Sequence, residues 1–538
     1  MACTVLVVGI CFFVFSPASL EVPTVEWARM EPQVVAKLQN ARLAVLRERR
    51  SPVLWGRLGM IFHAHDFTGE AKVCYSHAME LSPTEYRWPY LIALTLYKDF
   101  VKESVEYFER AVKLAPKNAA AYTNFGDTLA QLGEKERARE QYRIALQLDP
   151  RCNLAMYGLG QLSFLEGNPR QALEHLMAAA KIAPQHGELH KLLAQIYHRL
   201  GEKEKAELED LRAQAHPLFT WPEDPVVEAV QAEAVNSRHY ALRGRNLTEA
   251  GRFSEAEKYL RRVLEIRPAT SDDYINLGVV LFHLKKEAEA IEQYQLALKL
   301  DPLGPHVHNR LGIAYAETGQ LQLAAKHLLE AIRLDPSYAD AYNNFGYLCD
   351  REGRLDQAME YYFEALRFKP ALVRAHANIA NALGVQGKID EAIVHWRKAN
   401  AIHPEDPSVL FDLTLALNQR GRHQEAIACL REGQQMAPNN ARISTLLAWN
   451  LAAAPQTELR NGAEAVQLAL RVFAKYPKQP EVADVLAAAL AETGDFEGAI
   501  RLAKEAIGSC QSPQMSDLAE KIRARLQGYE KRQPYRLP

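Results

Sequence analysis

Ser337–Pro370 reads SYADAYNNFGYLCDREGRLDQAMEYYFEALRFKP, and the pattern inside these thirty-four residues recurs along the chain. Pro302, Pro336, Pro370, Pro404 and Pro438 stand thirty-four apart. With that proline numbered 32 in each unit, position 4 is Tyr274, His308, Tyr342, His376 and Leu410, and position 8 is Gly278, Gly312, Gly346, Ala380 and Thr414. Position 20 is Ala290, Ala324, Ala358, Ala392 and Ala426, and position 24 is Tyr294, Leu328, Tyr362, Trp396 and Leu430. A fixed period in this range marks a solenoid of stacked supersecondary units. Each unit predicts two amphipathic helices. Helix A covers about Ala339–Arg351 and stops at Gly353; helix B covers about Leu355–Phe368 and stops at Pro370. Glycine accepts the left-handed cap and proline cannot continue a helix. Gly346 and Ala358 are small because the two backbones approach there, with Tyr342, Phe345, Tyr362 and Leu366 around them at helical spacing. One hairpin cannot bury both its faces, so the units must stack.

An aromatic at 4, Gly at 8, Ala at 20, an aromatic at 24, Ala at 27 and Pro at 32 resemble the tetratricopeptide repeat (TPR), over about nine-tenths of the chain. The resemblance implies an all-α fold: a right-handed TPR superhelix, or α-solenoid, of about thirteen helix-turn-helix repeats in two blocks. The multi-repeat pattern is similar to the TPR arm of O-linked N-acetylglucosamine transferase, without a catalytic domain. The C-terminal run LLAWNLAAAPQTELRNGAEAVQLA resembles the ends of long bacterial TPR proteins.

The organisation follows from where the phase holds. Val5–Phe15, VLVVGICFFVF, followed by Ser16-Pro17-Ala18, reads as a signal peptide over 1–18, too short for a membrane span. No Lys or Arg precedes it, so a signal anchor or a misplaced start stays open. Residues 19–51 hold a capping helix, Pro32–Arg50, and 52–217 form the first TPR block, whose third unit (Asn118–Pro150) is the cleanest. In the fifth unit Asp210 replaces the aromatic. The phase breaks between Pro217 and Pro268, fifty-one residues apart. Residues 218–234, with FTWPEDPVVEAV, therefore read as a structured joint in which Phe219 and Trp221 either space the blocks or shape a binding surface. The second block runs over 235–511, with an insertion AAAPQTELRNG between the helices of one late unit. Residues 512–538 hold a closing helix whose charged face, Asp517, Glu520, Lys521, Arg523 and Arg525, is expected to meet water.

Composition removes several classes of function. Forty-eight per cent hydrophobic and twenty-four per cent charged residues are those of an ordinary folded protein. A net charge of −2 gives no global field for nucleic acid. After Cys3 and Cys11, five scattered cysteines remain, with no C-x-x-C pair, and read as small packing residues. No phosphate loop, dinucleotide fingerprint or nucleophile elbow is present. His63 with His65, and His186 with His190, lack further metal ligands nearby in sequence. The expectation is no enzyme, no cofactor and no metal.

One column stands out. Position 6 of helix A is Asn124, Asn276, Asn344 and Asn378, with Arg310 and Asp412 at the same place in neighbouring units. The resemblance implies that helix A lines the concave side. An amide column there either hydrogen-bonds the backbone of an extended peptide or ties repeat to repeat, because each amide offers donors and an acceptor. Asn309, Asn343 and Asn381 thicken the strip, and Arg310 and Arg374 suit a carboxylate. No three consecutive units carry the Lys and Asn set of the chaperone-binding carboxylate clamp.

The expected function is thus a non-enzymatic scaffold that binds an extended peptide or partner protein along the concave face. Its expected place is outside the cytoplasm, periplasmic or secreted, or cytoplasmic if the apolar N-terminus is not a true signal. The alternatives are a substrate-recruiting TPR subunit for a separately encoded glycosyltransferase, and an assembly factor for an envelope or cytochrome complex. Partners are protein or peptide, not nucleic acid, with no stable membrane span after signal cleavage.

Overall fold

The computed structural model describes residues 21–28, 30–215, 224–510, 512 and 515–537. The signal-peptide reading over 1–18, together with Phe219 and Trp221, lies outside the described residues. The described chain is helical. After α1 (Pro32–Arg47) come five helix pairs: α2 (Pro52–Ala64) with α3 (Thr68–Leu81), α4 (Arg87–Leu96) with α5 (Val101–Leu114), α6 (Ala119–Gln131) with α7 (Lys135–Leu148), α8 (Asn153–Leu165) with α9 (Pro169–Ile182), and α10 (Gly187–Leu200) with α11 (Lys203–Ala215). A short α12 (Pro225–Gln231) breaks the series. Eight more pairs follow: α13 (Ser237–Glu249) and α14 (Phe253–Ile266), α15 (Ser271–His283) and α16 (Glu287–Leu300), α17 (Pro305–Glu317) and α18 (Leu321–Leu334), α19 (Ala339–Arg351) and α20 (Leu355–Phe368), α21 (Val373–Val385) and α22 (Ile389–Ile402), α23 (Pro407–Gln419) and α24 (His423–Met436), α25 (Ala441–Ala453) and α26 (Gly462–Lys475), α27 (Pro480–Glu492) and α28 (Phe496–Ser509). α29 (Ser516–Glu530) closes the chain. The thirteen pairs match the repeat count expected from the period.

The chain divides into two compact units. One is Met1–Pro150, Pro222–Gly244 and Arg262–Pro268; the other is Arg151–Trp221, Arg245–Arg261 and Ala269–Pro538. Within each, the pairs with glycine at position 8 are held by the contact foreseen there. A Cβ on Gly346 would lie 2.7 Å from a ring carbon of Tyr362 and 3.1 Å from the carbonyl oxygen of Ala358. The same approach recurs at Gly126 against Tyr142 (2.7 Å), Gly278 against Tyr294 (2.5 Å) and Gly312 against Leu328 (2.5 Å). The backbone of helix A therefore rests on the side chain at position 24 of helix B. Gly353, at φ +77°, ends helix A as expected. At the same repeat position Asp66 (φ 66°) and Lys285 (φ 61°) hold this conformation without glycine's freedom.

Four sequence expectations change in detail. The first helix ends at Arg47, short of Arg50. The joint contains α12, whose N-cap Asp224 accepts hydrogen bonds from the backbone N–H groups of Val226 (2.9 Å) and Val227 (3.4 Å). The late insertion holds a 3-10 turn, Thr457–Leu459. In the closing helix, Arg525 does not meet water. Its guanidinium grips Asp484 through two hydrogen bonds, 3.0 and 2.7 Å, and lies over the Trp449 and Tyr535 rings. A bidentate pair of this kind satisfies both buried charges. Stacking in the second unit also goes beyond nearest neighbours, because α11 lies against α22 and Arg212 Nε donates to the Ala401 carbonyl at 2.8 Å.

Position 4 does more than fill space. His308 Nε2 donates to the Pro302 carbonyl (3.3 Å), His376 Nε2 to that of Pro370 (3.2 Å), and Tyr342 Oη to that of Pro336 (3.2 Å). Each bond ties helix A to the end of the preceding unit. The same two histidines meet a second histidine at position 23: His308 Nδ1 is 3.0 Å from His327 Nδ1, and His376 Nδ1 is 3.1 Å from His395 Nδ1. With Nε2–H spent on the carbonyl, a neutral His376 presents a bare Nδ1 to the Nδ1–H of His395. Protonating both rings would set two N–H groups face to face.

Burial, then the charge of His395, lowers the pKa of His376 to about 4, and burial lowers His327 and His395 as well. The unfolded chain therefore binds more protons than the folded one in this window. The stability these rings contribute is present above about pH 6.5 and is lost as pH falls toward about 4. His376→Tyr, which puts at position 4 the residue of the sister unit, should flatten this slope. Thermal midpoints at neutral pH and near pH 5 should fall less for the variant than for the parent chain; an equal fall would remove the histidine pair as the cause.

Candidate functional site

Four A helices of the second unit form one continuous layer, with α15 against α17, α17 against α19 and α19 against α21. Positions 5 and 6 of these helices meet along a single strip. Asn309 Nδ2 donates to Tyr338 Oη at 3.3 Å, and Asn309 Oδ1 accepts from Asn344 Nδ2 at 2.8 Å. Asn344 Oδ1 accepts from Asn343 Nδ2 at 3.3 Å, and Asn343 Oδ1 accepts from Asn378 Nδ2 at 3.0 Å. The result is an amide ladder across α17, α19 and α21. Each position-6 amide donates to the position-5 amide of the unit before it, thirty-five residues back.

The strip sorts the expected contact residues. Asn309 and Asn343 are 2 % and 3 % exposed and act as rungs, so Asn343 has no surface left for a ligand. Asn344 and Asn378 are half-buried; one N–H of each is spent on the ladder and the other remains. Asn276 is half-buried, with no side-chain partner among the described residues, and Asn381 is exposed. Arg310, half-buried, and Arg374, exposed, make no ion pair among the described residues. Their charges converge on His283. Burial first, then Arg310, Arg374 and Lys285, hold its imidazole below the ordinary value. The ring stacks on Phe253 at 4.4 Å. Uncompensated cations beside free amide N–H groups attract a carboxylate or a peptide carbonyl.

Asn124 is different. In the first unit its Nδ2 donates at 2.6 Å to Tyr90 Oη, which itself donates at 2.5 Å to Asp224 Oδ2. It is tied into the chain's own structure and does not join the strip of the second unit.

Some surface residues escaped the sequence reading. Tyr347 and Leu415 at position 9 and Phe411 at position 5 are 40 %, 51 % and 40 % exposed. They add apolar area to the A-helix layer. Carrying the repeat numbering along positions 5 and 9 would have found all three. The four histidines weighed as metal ligands have structural partners. His63 meets Tyr75 Oη, His65 the Ile61 carbonyl, His186 the Leu189 N–H, and His190 both Glu209 and the Pro184 carbonyl.

Removing one rung should cost about 1–3 kcal/mol, the cost of leaving a buried polar partner unsatisfied. Asn344→Ala, which orphans Asn309 Oδ1, is expected to lower the urea midpoint by that amount. Asn276→Ala should stay within roughly 0.5 kcal/mol. Equal effects at both positions would contradict the ladder.

Comparison with known proteins places the repeats. Tetratricopeptide repeat models match residues 96–151, 123–169, 163–211, 242–305, 339–372, 386–449 and 480–505, and a TPR repeat model matches 314–349. Together these segments span more than half of the chain. Among curated proteins the chain is similar to anaphase-promoting complex subunit 3 of Schizosaccharomyces pombe, 23 % identical over 205 residues, covering 38 % of this chain and 28 % of the relative. It is also similar to the protein O-mannosyl-transferase TMTC3 of Homo sapiens, 25 % identical over 232 residues, covering 43 % of this chain and 21 % of the relative. The chain thus spans little more than a quarter of the length of the first and about a fifth of the second. Among solved structures it is similar to the APC/C hetero-tetramer Cut9–Hcn1, 15 % identical with a TM-score of 0.38, covering 90 % of this chain and 99 % of that one. Yeast Tom70 is 15 % identical with a TM-score of 0.36, covering 82 % and 94 %.

Proposed function

The chain belongs to the tetratricopeptide repeat family, and from that premise we propose that it is a non-enzymatic scaffold holding an extended segment of a partner protein along the A-helix strip of its second unit. The observation that carries this is the pairing of a fixed amide ladder with cations that have no counter-charge among the described residues. Asn344 and Asn378 keep N–H groups for a peptide backbone. Arg310 and Arg374 supply charge for an acidic side chain or terminal carboxylate, and Tyr347 and Leu415 supply apolar area. Backbone capture gives affinity with little sequence demand, and the arginines select acidic segments. Because the ladder is already formed, the strip needs little reorganisation to bind.

A second reading, a substrate-recruiting subunit for a separately encoded glycosyltransferase, draws on the human O-mannosyl-transferase relatives TMTC3 and TMTC1, of which the chain covers 21 % and 23 %. On that reading the same strip presents the acceptor polypeptide.

Arrayed peptides of varied charge test the proposal. Acidic extended peptides should bind, and the double variant Arg310→Ala/Arg374→Ala should lose about tenfold in affinity, roughly 1.4 kcal/mol, with an unchanged melting temperature. Binding should also weaken with added salt. Peptides bound equally well by the parent and the double variant would overturn the assignment of this strip.

A further inference from the structure

The first unit has an A-helix strip of its own, and the chain has filled it. Position 6 of its three units is Arg57, Tyr90 and Asn124. All three take part in holding the segment Asp224–Ser237. Tyr90 Oη donates to Asp224 Oδ2 at 2.5 Å, and Asn124 Nδ2 fixes that hydroxyl by donating to it at 2.6 Å. Arg57 Nε lies 3.1 Å from Glu233 Oε1, and Lys37 Nζ lies 2.7 Å from Glu233 Oε2. Between these two carboxylates, nine residues apart, α12 packs on α2 and buries Val226 and Val230.

Beyond the helix, the Val235 N–H donates to His65 Nε2 at 3.2 Å. His65 can accept because its Nδ1–H is spent on the Ile61 carbonyl at 2.7 Å. Ser237 donates to Glu31 through its N–H (2.9 Å) and its hydroxyl (2.5 Å). Asp224 serves twice: Oδ1 caps α12 while Oδ2 receives the Tyr90 hydroxyl. The segment that breaks the repeat phase is therefore seated as a ligand on the same repeat position that carries the open strip of the second unit.

We propose that the first unit's strip is a second peptide site, built for a short acidic helix with one carboxylate at its N-cap, a second nine residues on and two apolar residues one turn apart between them, and that Asp224–Ser237 occupies it as an intramolecular competitor. The proposal stands apart from the reading of the second unit's strip, because it uses none of the residues named there. A partner segment of this chemistry must displace the tethered one. A tether holds its ligand at an effective concentration in the millimolar range, so a free segment at micromolar concentration is excluded until the plug is weakened. The hold is mostly charge-assisted hydrogen bonding around two valines, so a segment carrying equivalent carboxylates can make the same contacts.

The test uses the full chain and, as probe, a fluorescent peptide of its own sequence, Asp224–Ser237. Asp224→Asn with Glu233→Gln keeps a good N-cap on α12 while removing both charges. This double variant should bind the probe at least tenfold more tightly than the parent chain. Adding Lys37→Ala and Arg57→Ala should abolish the gain. Amide hydrogen exchange over Pro225–Gln231 should speed up at least tenfold in the double variant, with α2 to α7 unchanged. A folded double variant that binds no better than the parent would overturn the proposal. So would a gain that survives loss of Lys37 and Arg57, or a loss of protection across α2 to α7, which would make the segment a structural strut.

Discussion

A missing Cβ against a large side chain sets the geometry of this protein. Where Gly346 faces Tyr362, and where its counterparts face Tyr142, Tyr294 and Leu328, the backbone of helix A sits directly on the flank of helix B. Added atoms at so tight a contact force neighbouring groups apart. The close approach fixes how each hairpin is rotated about its own axis. Position 6 lies two residues from that contact and so on another side of helix A, half-buried at Asn276, Arg310, Asn344 and Asn378. The amide ladder and the cations beside it exist because every unit presents the same residue number to the same place.

The two units use this position differently. In the second, position 6 of α15, α17, α19 and α21 is asparagine in three helices and arginine in one, and the amides run in a relay from Asn378 to Tyr338. The two bonds that cross between units, Asn378 to Asn343 and Asn344 to Asn309, both donate toward the N-terminal neighbour, so the order of the chain becomes a polarity of the surface. A bound peptide would meet N–H groups held in fixed directions. In the first unit, position 6 varies as Arg57, Tyr90 and Asn124, and each takes part in the hold on one segment of the chain itself. A regular column suits a backbone, which is the same everywhere; an irregular one suits a particular sequence.

The hairpins, their number and the role of position 8 were legible because each depends on residues close in sequence and repeated in phase. Gly353 and Pro370 mark helix ends by local backbone chemistry alone. The ladder was half visible: the column of asparagines could be seen, but its two uses could not be separated until the thirty-five-residue pairings of Asn344 with Asn309 and Asn378 with Asn343 were in view. Arg525 was misread as a solvent-facing charge because its partner, Asp484, is forty-one residues away on another helix. The seat of Asp224–Ser237 was out of reach for the same reason. Its partners Tyr90, Arg57 and Glu31 lie 134 to 206 residues earlier, and no periodic signal links them.

The central claim, that a glycine at position 8 and the side chain at position 24 fix the hairpins that carry them by contact, is tested most directly by a double-mutant cycle on Gly346 and Tyr362 in urea denaturation. Gly346→Ala alone should destabilise, because the new methyl meets the tyrosine ring. In the presence of Tyr362→Ala the same substitution should be neutral or stabilising, because the ring is gone and alanine favours the helix. A coupling of roughly 1–3 kcal/mol is predicted. Additive effects, agreeing within about 0.5 kcal/mol, would contradict the account.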